Sequence, residues 1–301
     1  MRIGTGVPGA GLISKMHQIM LKIGPAAFRI VSAWRRPLDQ LTDLYQAYPA
    51  PTGETVDFTV RLEPEKPWRR FVRPSVHIGG DFWLPDAAPL PLEQGLLGAE
   101  MGMNLQMALG WRRHLLLHAS SVEKDGKALV MTGLSGSGKS TLSAMLAERG
   151  WRFMGDEFAL LSLDSGEIMP FPRLISLKNK AIDAMQDIVS DNRFGPEMKA
   201  TPKGDIRHLV PSRDAIARMN QPARPALLLF PRFGHAPELR DMGQAEIFVR
   251  LTQASTNYVA LGEAGFRSLT RFVDEVPVKA MDYQSIDQAE ELIDGLWSEL
   301  R

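Results

Sequence analysis

Eight consecutive residues, Gly133-Leu134-Ser135-Gly136-Ser137-Gly138-Lys139-Ser140, carry the most specific chemistry in the chain. They fit the pattern of a glycine, four free positions, a glycine, a lysine and a serine or threonine that cradles nucleotide phosphates between a strand and a helix. Gly133, Gly136 and Gly138 admit positive φ and put no Cβ between backbone and anion, so successive N–H groups can converge on one phosphate. A helix opening at Lys139 adds its positive N-terminal end. In this pattern Lys139 bridges the β- and γ-phosphates, the Ser140 hydroxyl coordinates Mg²⁺, and Thr141 is a weaker helper. The competing reading is a chance glycine-rich turn. At average residue frequencies the four fixed positions coincide in roughly one chain of this length in a hundred, before the flanking elements are counted.

Asp156 is the second candidate, through geometry. A helix from Lys139 to Arg149 descends roughly 16 Å, and Trp151 to Asp156 climb back roughly 20 Å as a strand, which brings Asp156 level with the phosphates. In a right-handed strand-helix-strand crossover the two strands are parallel and their C-terminal ends share one edge of the sheet. A carboxylate there either holds Mg²⁺ or takes the proton of an attacking hydroxyl, and with Glu157 beside it both tasks are covered. The plainer reading is that Asp156 begins a turn. His118, in Leu115-Leu116-Leu117-His118-Ala119, is either a hydrogen-bonded core residue or, because a hairpin sets its strand beside the glycine-rich loop, a neighbour of the reacting groups.

The elements that must position these residues are legible around them. His114 to Val122 and Lys127 to Thr132 are two apolar runs joined by Glu123-Lys124-Asp125-Gly126, and Asp-Gly is the residue pair a tight hairpin turn requires. Leu142, Met145 and Leu146 recur at helical spacing after the loop, Gly150 is a C-terminal stop, and Trp151 to Met154 read as the next strand. Pro225 to Phe230 and Val278 to Met281 read as further strands. The last helix carries Ala289, Leu292, Ile293, Leu296, Trp297 and Leu300 on one face, as core packing.

The first ninety residues are turn-rich. Thr55 to Leu62 and Phe71 to Ile78 alternate apolar and polar as strands do, punctuated by Pro64, Pro67 and Pro74. A helix from Leu92 to Ala108 leads into the second part. The boundary is placed at Pro85 to Pro91, giving a β-rich N-terminal domain (1–90) and a loop-bearing domain (91–301).

Composition excludes some classes. With 44% hydrophobic and 23% charged residues the chain reads as soluble and globular. Lys plus Arg (35) equals Asp plus Glu (35), so no global field draws it to nucleic acid or an anionic membrane. The absence of cysteine removes disulfides, thiolate nucleophiles and Cys-ligated metals. Glycines and Pro8 near the N-terminus, then Lys15, His17 and Lys22, fit neither a signal peptide nor a membrane span, so a cytoplasmic location is expected.

Leu117-His118-Ala119-Ser120-Ser121-Val122, the hairpin, the loop and Arg152-Phe153-Met154-Gly155-Asp156-Glu157 together resemble the catalytic domain of HPr kinase/phosphorylase. The chain looks closer still to the HPr kinase-related proteins associated with exosortase protein-sorting systems. Phe171-Pro172-Arg173-Leu174-Ile175-Ser176-Leu177-Lys178-Asn179, Thr201-Pro202-Lys203-Gly204, Ala223-Arg224-Pro225-Ala226 and Asn257-Tyr258 extend that likeness. The resemblance implies an α/β fold, a P-loop core of the HPr kinase/PEP carboxykinase type with a mixed sheet. It also implies transfer of the γ-phosphoryl group of ATP to a hydroxyl, with Asp156 as general base, His118 close to the reacting groups, and Arg173, Lys178 and Lys203 as phosphate or substrate contacts. The alternative for each of these three is a solvated surface cation. HPr kinases assemble through their catalytic domains, so a homo-oligomer is implied as well.

Two departures stand out. HPr kinases carry two consecutive aspartates where this chain has Asp156-Glu157, and Pro172 to Leu177 replace a glycine-rich signature linked to the reverse, phosphorolytic reaction. The leading expectation is therefore a Mg-ATP-dependent kinase acting on a protein or small-molecule hydroxyl. A nucleotide-binding regulatory module without transfer is the alternative. A simple ATPase or GTPase is a third reading, and no Asn/Thr-Lys-x-Asp guanine-recognition motif accompanies the loop.

Overall fold

The computed structural model describes residues 16–51, 53, 55–84 and 87–300. The reading of residues 1–15 as free of a leader, and Pro85 at the proposed boundary, lie outside them. The N-terminal part is a five-stranded sheet of β1 (His17–Ile23), β2 (Ala26–Ser32), β3 (Phe58–Pro64), β4 (Ser75–Gly80) and β5 (Leu90–Pro91), in that order. Only the β2–β3 pair is parallel, and α1 (Arg35–Leu44) lies in the crossover between them. Leu38, Leu41 and Leu44 bury one stripe of α1. A second helix, α2 (Gly95–Gly110), lies on β3 and β4, where a Cβ at Gly102 would stand 2.4 Å from Val60 Cγ1, so glycine permits that approach.

The central six-stranded sheet has the order β16-β17-β15-β8-β7-β9: β7 (Ala119–Lys124), β8 (Lys127–Thr132), β9 (Arg152–Gly155), β15 (Arg224–Phe233), β16 (Glu238–Arg240) and β17 (Val278–Tyr283). It is mixed: β8, β15 and β17 are parallel, and β7 runs antiparallel to both β8 and β9. β9 thus runs parallel to β8 with β7 between them, and the crossover is α3 (Lys139–Glu148). Asp125 and Gly126 close the β7–β8 hairpin with φ of 55° and 77°, the left-handed pair that a two-residue turn of this hand needs.

Two smaller sheets complete the fold. One has the order β11-β10-β6, from β6 (His114–Leu117), β10 (Ala159–Ser162) and β11 (Ile168–Met169); the other has β12-β14-β13, from β12 (Ile175–Lys178), β13 (Met198–Thr201) and β14 (Gly204–Leu209). The remaining helices are α4 (Lys180–Gln186), α5 (Arg213–Ala217), α6 (Gln244–Ala254), α7 (Tyr258–Glu275) and α8 (Ile286–Glu299).

The apolar run from His114 to Val122, expected as one strand, is two. At His118 the backbone N–H leaves the ladder to donate to Ala254 O at 2.7 Å, and His118 O accepts from Thr132 Oγ1 at 2.9 Å. β6 therefore joins the small sheet and β7 the central one. Phe71 to Ile78 is extended only from Ser75, because Pro67 opens a single 3₁₀ turn and Arg73 adopts φ of 45°. The helix expected from Leu92 begins as a 3₁₀ turn and becomes α-helical at Gly95.

Among the described residues three apolar clusters form the core. One lies under α3, α4 and α8 and includes Leu142, Met185, Ala289 and Ile293; another includes Val130, Leu251, Leu269 and Phe272. The third joins Phe28, Val60, Leu96 and Met103 of the first hundred-odd residues to Phe158, Phe171, Leu174 and Ile206. Among the described residues no helix is long and apolar enough to cross a membrane.

Candidate functional site

The glycine-rich loop connects the end of β8 to α3. Gly133, Gly136 and Gly138 take φ of 151°, 82° and 94°. At Gly138 the lack of a side chain is also spatial, since a Cβ would lie 2.4 Å from Tyr283 Oη. Helical bonding begins with Leu142 N–H donating to Gly138 O at 2.8 Å, so the N–H groups of the residues just before Leu142 have no partner within the helix. Leu134, Ser135 and Gly136 form the exposed tip, while Ser137 Oγ is buried with no partner among the described residues.

Lys139 is buried, and its ammonium donates to the carbonyls of Gly133 at 2.8 Å and Leu134 at 2.9 Å. Burial lowers its pKa, and the charges of Asp156 and Glu157 oppose that shift. A loop that curls around its own cation, with free amides beyond it, has the chemistry of an anion seat.

Asp156 follows β9 directly and is buried. Its Oδ1 accepts from Ser120 Oγ at 2.8 Å, and its Oδ2 has no partner among the described residues. Burial, then the charge of Glu157, raise its pKa above the ordinary aspartate value. The hydroxyls of Ser120 and Ser140 and the ammonium of Lys178 act in the opposite sense. The electrostatic reach of Lys139 and Ser140 to this carboxylate puts loop and carboxylate in one site, with β7 supplying the serine between them.

An unpartnered buried carboxylate oxygen close to a serine hydroxyl suits a divalent cation that also takes oxygens from phosphate and water. Among the described residues no group of three Asp, Glu or His side chains could hold a metal alone, so a cation here would depend on oxygens brought by a ligand.

His118 is no core residue. Its side chain is 45% exposed, with Nδ1 3.1 Å from Glu157 O and 3.7 Å from Glu157 Oε2. A carbonyl can only accept, so that contact puts the ring proton on Nδ1.

Two cavities flank the loop and the carboxylates. One, of ≈ 230 Å³, is bounded by Gly133, Leu134, Ser137, Arg232, Arg240 and Arg250. Arg240 and Arg232 both grip Asp282, at 2.5 to 3.1 Å, and hold its carboxyl far below the usual range. The other, of ≈ 60 Å³, is lined by Glu157, Arg173, Lys178, Lys203 and His208 together with Glu100 and Asn104 of α2. The three cations singled out in the sequence thus share one cavity. Arg173 is no solvated surface group: it is 7% exposed and bonds the Glu100 carboxylate, Glu100 O and Asn104 Oδ1. Lys178 is half-buried and Lys203 exposed at the rim.

Sequence reasoning gave no role to Ser120, Glu100, Asn104 or His208. A signal existed for two of them. Glu100 and Asn104, with Gln106, are the polar residues of a mostly apolar helix, and Glu100 and Asn104 are spaced four apart so that they share a face.

No protein-family model and no curated protein matches the chain. Among solved structures, the HPr(Ser) kinase/phosphatase from Coxiella burnetii matches at 14% identity and a TM-score of 0.28, over 62% of this chain and 92% of that one. At that identity and TM-score the likeness establishes neither fold nor activity for this chain.

Proposed function

We propose that the protein is a Mg-ATP-dependent kinase that transfers the γ-phosphoryl group to a hydroxyl, with residues 91–301 as its catalytic part, in the manner of the HPr kinase-related proteins it resembles. The observation that carries this reading is the buried, half-satisfied Asp156 beside Lys139 and Ser140. Loop amides and Lys139 hold the β- and γ-phosphates, and the nucleoside end lies toward Arg232, Arg240 and Arg250. Ser140 and Glu157 would hold Mg²⁺, which would neutralise charge on the transferring phosphoryl group and leave Asp156 Oδ2 for the proton. The acceptor oxygen bonds the γ-phosphorus as the bond to the β–γ bridging oxygen breaks. ADP leaves, and the acceptor proton passes to Asp156 Oδ2. Ser120 orients that carboxylate through Oδ1.

The test is transfer of label from γ-labelled ATP to a discrete acceptor in a host lysate. Wild type labels it; Asp156→Ala binds nucleotide but gives at least a ~100-fold lower rate. Equal labelling by both proteins overturns the assignment of Asp156 as base. Nucleotide binding without transfer to any acceptor favours a regulatory switch.

A further inference from the structure

Resting on that reading, we infer that the ≈ 60 Å³ cavity between α2 and the β12–β14–β13 sheet is the acceptor subsite, and that it takes a small hydroxy compound bearing a carboxylate or phosphate group.

Position comes first. Glu157 lines the cavity and adjoins Asp156, and Lys178, another lining residue, acts electrostatically on Asp156. A hydroxyl compound seated here directly meets Glu157, the chain neighbour of Asp156.

Size follows. At about 10–15 Å³ per water-sized site, the space holds roughly four to six water-sized groups. That suits a compound of a few carbons and is too little for a folded loop of a carrier protein.

Charge sets the chemical class. The lining carries three cations, Arg173, Lys178 and Lys203, against two carboxylates, Glu100 and Glu157. Glu100 is already satisfied, by Arg173 and by the Tyr45 hydroxyl, which donates at 2.9 Å. Neither Lys178 nor Lys203 has an ion-pair partner among the described residues. Arg173 Nε and His208 Nδ1, both on side chains more than nine-tenths buried, have no hydrogen-bond partner among the described residues. Orphaned buried polar atoms are costly unless a ligand engages them, and an anionic group is the ligand that suits a lining with two lysines free of ion pairs among the described residues. Glu100, Asn104 and Met101 come from α2, so the element on the N-terminal sheet forms one wall of the site.

The experiment uses the full chain, γ-labelled ATP and four probes: D-glycerate, L-serine and glycerol 3-phosphate as hydroxy compounds that bear an anionic group, and glycerol as the control without one. At least one anionic probe becomes labelled and glycerol does not. Lys203→Met raises the KM of that probe about tenfold with the Kd for Mg-ATP unchanged. Met101→Trp fills the cavity from α2 and abolishes labelling while nucleotide binding persists. The inference is overturned if no anionic probe accepts label, if glycerol accepts it as well as they do, or if Met101→Trp transfers like the parent. Label confined to a macromolecule assigns the acceptor to a protein instead. Failure of the parent to bind Mg-ATP defeats the kinase reading itself, and calorimetry separates the two failures.

Discussion

The Ser120 hydroxyl donates to Asp156 Oδ1 at 2.8 Å, while Asp156 Oδ2, equally buried, has no partner among the described residues. One oxygen is fixed and the other is unpartnered, and the proposed role of Asp156 as base rests on that asymmetry.

Removing the fixed half changes the pH dependence in a defined direction. The Ser120 bond favours the ionised carboxylate, so Ser120→Ala lets burial and Glu157 raise the Asp156 pKa further. A base must be ionised, so the acid limb of kcat/KM moves to higher pH, and the variant loses more rate at pH 6 than at pH 8. A uniform loss across the profile would show that Ser120 does not tune Asp156.

Asp156 should also cost the fold stability. Its folded-state pKa lies above the unfolded value, so its contribution is full below the unfolded pKa and is lost as pH rises through the folded one. At pH 7.5 Asp156→Asn therefore gains on the order of 1 kcal/mol while transfer is abolished. The gain shrinks toward pH 4. Urea midpoints at the two pH values check this, and a variant less stable than the parent at pH 7.5 contradicts it.

His114 gives an acid-sensitive point away from the site. Burial, and then the charge of Arg113, push its pKa down to about 4, and Trp111 Nε1–H donates to Nδ1 of the neutral ring at 3.1 Å. Between pH 6.5 and pH 4 the unfolded chain binds a proton that the folded protein refuses, so stability falls as pH drops through that window, by up to about 3 kcal/mol. His114→Gln keeps an acceptor and should flatten that part of the stability–pH curve. An unchanged slope assigns the acid sensitivity elsewhere.

Asn257 is structural. Its Oδ1 accepts from Leu116 N–H at 2.9 Å and its Nδ2 donates to Trp111 O at 3.0 Å and His114 O at 2.9 Å, tying the start of α7 to β6. Asn257→Ala leaves those buried groups unpaired and costs about 2–3 kcal/mol. Thermal melts should report the loss, and the Kd for Mg-ATP should stay that of the parent. A weakened Kd with unchanged stability would reverse the assignment.

The legible parts of the molecule are those that local chemistry decides. Lys127 to Thr132 is a strand over the residues read, because the Asp125-Gly126 turn and the apolar run mark its start and Gly133 its end. The stripe through Ala289 and Ile293 announced α8 in the same way. What was hidden depends on distant partners. The break at His118 is made by Ala254 O, and the burial of Arg173 by Glu100, seventy-three residues earlier. The hairpin His17 to Ser32 was missed because β2 is buried on nearly every residue and has no alternation to read. At the candidate site, the positions of Lys139 at the start of α3 and Asp156 just past the end of β9 are readable from spacing, whereas Ser120 and His208 stand out only when β7 and β14 bring them to the carboxylate and the cavity.

In the proposed function the backbone around Gly136 and Gly138, with the Lys139 ammonium, seats the phosphates of a nucleotide. Titration calorimetry of Mg-ATP into the parent and into Lys139→Ala tests it most directly. A saturable one-site heat in the parent, and at least a ~100-fold weaker Kd in a folded Lys139→Ala variant, are expected. Equal affinity in the two proteins would contradict it.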